Sequence, residues 1–298
     1  MGFRVGVFFP HTEIEADAGA IRAFVHAIED MGYDHLATAD HVVGVNRESR
    51  PGWEGPYDST SRFYEPLTFF SFLSGFTTRL GFLSAILVAP QRQTVLIAKQ
   101  AANLDMFCGG RLRIGVGTGW NPVEYEALGE DWARRGERLD SQIRLLRKLW
   151  TEPHVTEHSD QHSISDAGIC PLPTQQPIPV WVGGVAPPAM RRAAKLGDGW
   201  LPYLTTEGAD EKLAAFRDMV VAAGRRADDV PVENVVHMGT SIGGPERNPE
   251  DIVADAEIWR KAGAASICIS TMNRGLRGAD EHLEAFRKIA DMLELGTD

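Results

Sequence analysis

Apolar runs alternate with amphipathic stretches along almost the whole chain. Phe3–Phe9 has the density of apolar residues expected of a buried strand. Asp17–Met31 then places Ile21, Phe24, Val25 and Ile28 at helical spacing, with Gly32 as the stop. His35–Ala39, Leu80–Val88 and Leu112–Val116 are further strand-like runs. Helices are predicted at Tyr64–Phe76 and Thr94–Phe107, and a Gly/Pro/Trp-rich loop at Gly44–Arg62. A strongly periodic fourth helix covers Arg134–Trp150, after which residues 152–178 break the rhythm with polar, Pro-rich sequence. The alternation resumes with strands at Pro179–Val182, Gly199–Leu201, Val232–Thr240 and Ser266–Ser270, and with helices at Pro187–Leu196, Ala209–Ala223, Pro249–Ala262 and Asp280–Leu295.

Strict β/α alternation predicts a parallel sheet covered by helices. Eight such units in 298 residues match a (β/α)8 TIM-type barrel, read as a single domain over 1–298 with an irregular insertion at about 152–178, after helix four. A doubly wound open sheet is the competing arrangement. In a barrel the chemistry belongs to the loops that follow each strand.

Composition narrows the partners. With 30 Lys and Arg against 41 Asp and Glu, the net charge is −11 and no basic stripe is present, so neither nucleic acid nor an anionic membrane is an expected partner. No stretch approaches the roughly 18 apolar residues of a membrane helix. Cys108, Cys170 and Cys268 are odd in number and lack CxxC spacing, which argues against a disulfide framework and for a reducing compartment. The chain is therefore expected to be cytoplasmic.

The strand ends carry the candidate chemistry. His11 follows the first run, and Asp40-His41, a titratable pair, follows the second. Gly115-Val116-Gly117-Thr118-Gly119-Trp120 fails the dinucleotide fingerprint, because Trp120 stands where its third glycine would be and Asn121-Pro122 follows instead of a helix. Gly183-Gly184, ahead of a helix with Pro187 in its first turn, is either a phosphate seat or an ordinary left-handed turn. His154, His158 and His162 sit four apart, but in an extended segment that spacing spans about 13 Å, too far to share a metal, so no metal site is assigned.

Taken in order, these strand ends resemble the luciferase-like flavin and deazaflavin oxidoreductases. The resemblance rests on Asp40-His41-Val42-Val43, Ser84-Ala85-Ile86-Leu87-Val88-Ala89-Pro90, Gly115–Trp120 with Glu124-Tyr125-Glu126-Ala127-Leu128-Gly129, and Pro179–Gly184. It implies a barrel that binds an isoalloxazine-type ring across its mouth. A non-prolyl cis peptide at Ala85–Ile86, beside Ser84, would back the ring. Gly117, Thr118, Gly119 and Trp120 would edge it, and Gly183 and Gly184 would hold the phosphate. His41 would act near the ring, tuned by Asp40; otherwise Asp40 is a helix cap and His41 a packed residue. The resemblance implies coenzyme F420, with FMN as the alternative, and so a hydride-transferring oxidoreductase rather than a two-component monooxygenase supplied by a flavin reductase. A ring-binding protein without turnover is a third reading. Some sugar-phosphate dehydrogenases of the family carry Glu where Trp120 stands, so a sugar phosphate is not expected. Phe9, His11 and Trp53, with Tyr57 and Arg62, are expected to meet a small, apolar substrate, and a homodimer is common among such proteins.

Overall fold

The computed structural model describes residues 2–240 and 246–296. Among the described residues the elements run β1 (Arg4–Phe8), α1 (Ala18–Asp30), β2 (His35–Thr38), α2 (Pro66–Ser74), β3 (Gly81–Leu87), α3 (Thr94–Phe107), β4 (Leu112–Val116), α4 (Pro122–Ala127) and α5 (Arg135–Thr151). There follow β5 (Val155–His158), β6 (Ser163–Ala167), β7 (Val180–Gly183), α6 (Pro187–Leu196), β8 (Gly199–Leu201), α7 (Ala209–Ala222), β9 (Glu233–His237), α8 (Pro249–Ala262), β10 (Ser266–Ser270) and α9 (Gly278–Met292). Eight parallel strands are ordered β8-β7-β4-β3-β2-β1-β10-β9. The pair Trp200–Val232 brings the two ends together, giving a nearly closed TIM-type barrel.

Two local features differ from the expectation. The stretch 152–178 is not irregular throughout, since β5 and β6 form an antiparallel hairpin there with His158 opposite Ser163. A short helix, α4, follows β4, where Asn121-Pro122 reads as standing in place of a helix. Asn121 caps it by accepting from the Val123 amide, and Pro122 fills its first turn. No helix among the described residues is long and apolar enough to cross a membrane.

Strand parity separates two cores. Val5, Val7, Leu36 and Ile114 point outward to the helices, in a layer that includes Phe24, Phe70 and Trp150. Phe8, Ala37, Leu83, Leu201, Val235 and Cys268 point inward and plug the middle of the lumen. The plug leaves the C-terminal end open as a mouth.

Candidate active site

A cavity of about 340 Å³ occupies this mouth, with a smaller one of about 150 Å³ beside it; both are lined by His41, Tyr57 and Trp120. One wall is a shelf at the end of β3. The β3–β4 register slips between Ser84 and Leu87, and the Ala85–Ile86 peptide is cis, as the resemblance implied. Ser84 supports the shelf from below, its hydroxyl donating to the Gly115 carbonyl at 2.9 Å. Ile86 fills space vacated by two glycines: a Cβ on Gly117 would meet its Cδ1 at 2.7 Å, and one on Gly183 would collide with its Cγ2. Gly119 extends the wall, and the Tyr125 hydroxyl, donating to the Thr118 carbonyl at 2.8 Å, holds its turn.

His41 projects from the loop after β2. Its Nδ1 lies 3.1 and 3.2 Å from the two carboxylate oxygens of Glu124, on α4. Glu124 is 1% exposed, sits in the first turn of its helix, where a carboxylate is favoured, and also accepts from the Val42 amide at 2.9 Å. The imidazole is boxed by Phe63 (4.6 Å between centroids), Trp120 (5.3 Å) and Tyr57 (5.4 Å). Trp53 packs on Trp120 and donates its indole N–H to the Tyr57 carbonyl. Arg47 ties this loop together through Asp58 (2.6 Å) and the Gly55 carbonyl (2.8 Å).

Asp40 does not pair with His41, a correction to the expected tuning. Consecutive side chains on extended backbone point to opposite sides. The Asp40 carboxylate accepts from the Val88 amide at 2.9 Å and from Arg92 at 2.6 Å, and Arg92 also binds Glu65. Burial pushes the Asp40 carboxyl up against the opposing pull of Arg92. Asp40 thus ties the His41 loop to the shelf.

Three substrate assignments also change. Phe9 is one residue out of phase: it lies in the outer layer against Phe24 and Phe69, and Phe8 lines the cavity in its place. His11 stands behind Phe63 at 4.4 Å and is not on the cavity wall; burial lowers its pKa to about 3, so its ring is neutral. Arg62 binds the Ile14 carbonyl. Trp53 remains beside the mouth through Trp120.

The phosphate seat is narrower than expected. The Gly184 amide donates to the Leu201 carbonyl at 3.1 Å, and its carbonyl accepts from Trp200. Pro187 and Pro188 open α6 without N–H groups, and no side chain caps it. The amides of Val185 and Ala186, which have no backbone partner among the described residues, are what this turn offers.

The opposite wall carries residues that sequence reasoning missed. Tyr203 and His237, at the ends of β8 and β9, pack at 5.3 Å, and Met272 follows β10. His237 is 9% exposed and neither ring nitrogen has a hydrogen-bond partner among the described residues; burial and Arg247 lower its pKa to about 4. A histidine closing a barrel strand was the available signal. For Glu124 the signal was Asn121-Pro122-x-Glu, an N-cap pattern that places a carboxylate at a helix start.

The one cluster of potential metal ligands among the described residues, His35, Glu233 and Cys268, lies at the other end of the lumen. Two of its three members are engaged: His35 bonds Asp34 and Glu233, each at 2.9 Å, and Glu233 also bonds Arg113 and Ser266.

Comparison with known proteins agrees with this architecture. The model of the luciferase-like monooxygenase family matches residues 3–292. An F420-dependent glucose-6-phosphate dehydrogenase of Microbacterium testaceum is 30% identical over 212 residues, 68% of this chain and 58% of that protein. An FMNH(2)-dependent dimethylsulfone monooxygenase of Pseudomonas putida is 33% identical over 163 residues, 53% of this chain and 44% of that one. Monooxygenase RslO1 from Streptomyces bottropensis superposes with a TM-score of 0.78 at 19% identity, covering 99% of this chain and all of its own.

Proposed function

The chain belongs to the luciferase-like monooxygenase family of oxidoreductases, and we propose that it is an F420-dependent member acting on a small organic substrate. The observation that carries this reading is that the cis-peptide shelf and His41 line one cavity. Ala85–Ile86, cleared by Gly117 and Gly183, suits one face of a planar ring, and His41, backed by Glu124, lines the same cavity. When bound, F420 supplies a two-electron hydride carrier that does not readily activate oxygen.

In this reading the Thr118–Gly119 backbone edges the ring, and the Val185 and Ala186 amides, beside Gly183-Gly184, receive the phosphate. His41 exchanges a proton with the substrate at Nε2. Trp53, Tyr57 and Trp120 exclude water from that exchange. The match to the FMNH(2)-dependent relative supports FMN as the second reading. That reading needs a partner to reduce the flavin.

A paired titration of the purified chain with F420 and FMN, followed by cofactor fluorescence, tests the choice. Micromolar binding of F420 without an FMN response is expected. Preference for FMN makes the monooxygenase the lead, and binding of neither removes the functional reading.

A further inference from the structure

Neutral histidine carries one proton on one of two nitrogens, and the partner of each nitrogen decides which. Both oxygens near His41 Nδ1 belong to the Glu124 carboxylate, which has no hydrogen to give. The carboxylate is itself fixed, being buried and bonded to the Val42 amide one residue beyond the imidazole. Three aromatic rings box His41, and its Nε2 makes no hydrogen bond among the described residues.

We propose that Glu124 is the positioning residue of this site: it locks neutral His41 in the Nδ1–H tautomer, so that Nε2 presents a bare lone pair to a substrate hydroxyl. The inference rests on His41 being the proton-handling group proposed above. The hydroxyl donates to Nε2. When its O–H bond breaks, the proton forms an N–H bond there and the electron pair stays on oxygen. Nδ1–H remains on Glu124, whose charge stabilises the imidazolium. Asp40, adjacent in sequence, has no part in this, because its oxygens are committed to Arg92 and Val88.

Nitrogen-15 spectra of histidine-labelled protein, with the His41 signals assigned by their loss in His41→Gln, read the tautomer without any cofactor. The expected wild-type pattern at high pH is a protonated Nδ1 and a bare Nε2. Glu124→Gln keeps an acceptor for Val42 but can turn its amide either way, so it should mix the two tautomers, while Glu124→Asp restores the wild-type pattern in part. Circular dichroism confirms that each variant is folded. Cyclohexanol should perturb the bare Nε2 resonance and cyclohexanone should not. A bare Nδ1 in the wild type, an unchanged tautomer in Glu124→Gln, or a response to the ketone alone overturns the inference. If F420 and FMN both fail to bind while the tautomer pattern holds, the proposed function falls and the role of Glu124 stands.

Discussion

At the floor of the lumen, His35 has a carboxylate on each ring nitrogen, and Glu233 answers it together with Arg113 and Ser266. At the mouth, His237 is 9% exposed and neither ring nitrogen has a hydrogen-bond partner among the described residues. Both histidines face inward from strands of the same sheet. The floor carries buried charge and satisfies it, which is the condition for such a network to hold a fold together. The mouth leaves polar atoms open, which costs stability and is typical of positions where a ligand completes the set.

Removing one partner at each end sharpens this contrast. Glu233→Ala leaves Arg113 and His35 buried without their carboxylate, so a loss of about 3–5 kcal/mol is expected in denaturant unfolding. Burial alone would push the Glu233 carboxyl up, but His35 and Arg113 outweigh it and hold it well below the usual range. Its contribution is present above the ordinary glutamate pKa and is lost as pH falls toward the depressed folded value. Glu233→Gln should therefore flatten the acid limb of the stability curve.

The same cut at the mouth acts on chemistry. His41→Ala should slow substrate turnover by roughly 10²–10³-fold, with coenzyme affinity, read by fluorescence titration, changing far less. Turnover equal to wild type would make His41 a packing residue. Gly117→Ala presses a methyl against Ile86 and should cost about 1–3 kcal/mol, with weaker coenzyme binding.

The smallest effect is expected at His237. Replacing it with Leu removes two unpartnered nitrogens, so thermal melts near pH 7 should change by no more than about 1 kcal/mol. Its pKa near 4 means that the unfolded chain takes up a proton that the folded chain refuses between about 6.5 and 4. Wild-type stability should therefore fall as pH drops through that window, and His237→Leu should fall less. A large loss at neutral pH in His237→Leu would place this residue with the floor and dissolve the comparison.

The barrel was legible in the sequence because it rests on local patterns. The helices at 94–107, 187–196 and 249–262 were read with their observed bounds. The cis peptide of the shelf was expected from the resemblance alone, since nothing in the local pattern of Ser84-Ala85-Ile86 announces it. Phe9 went wrong by one position, since a run apolar at both parities does not say which side faces the lumen. Asp40 and His41 look like a pair because they are adjacent, yet the true partner of His41 is 83 residues away and that of Asp40 is 52. Glu233 and His35 are 198 residues apart, and nothing short of the closed sheet brings them together.

The seam of that sheet has a consequence of its own. The ladder ends at β8 and β9, where the single pair Trp200–Val232 stands in for a full strand pairing, while β3 lies well inside it. Edges of a hydrogen-bonded ladder open to water more readily than its centre. The shelf is thus anchored mid-sheet, and Tyr203 and His237 ride on the two strands at the gap. Amide hydrogen exchange is therefore expected to be faster in β8 and β9 than in β3.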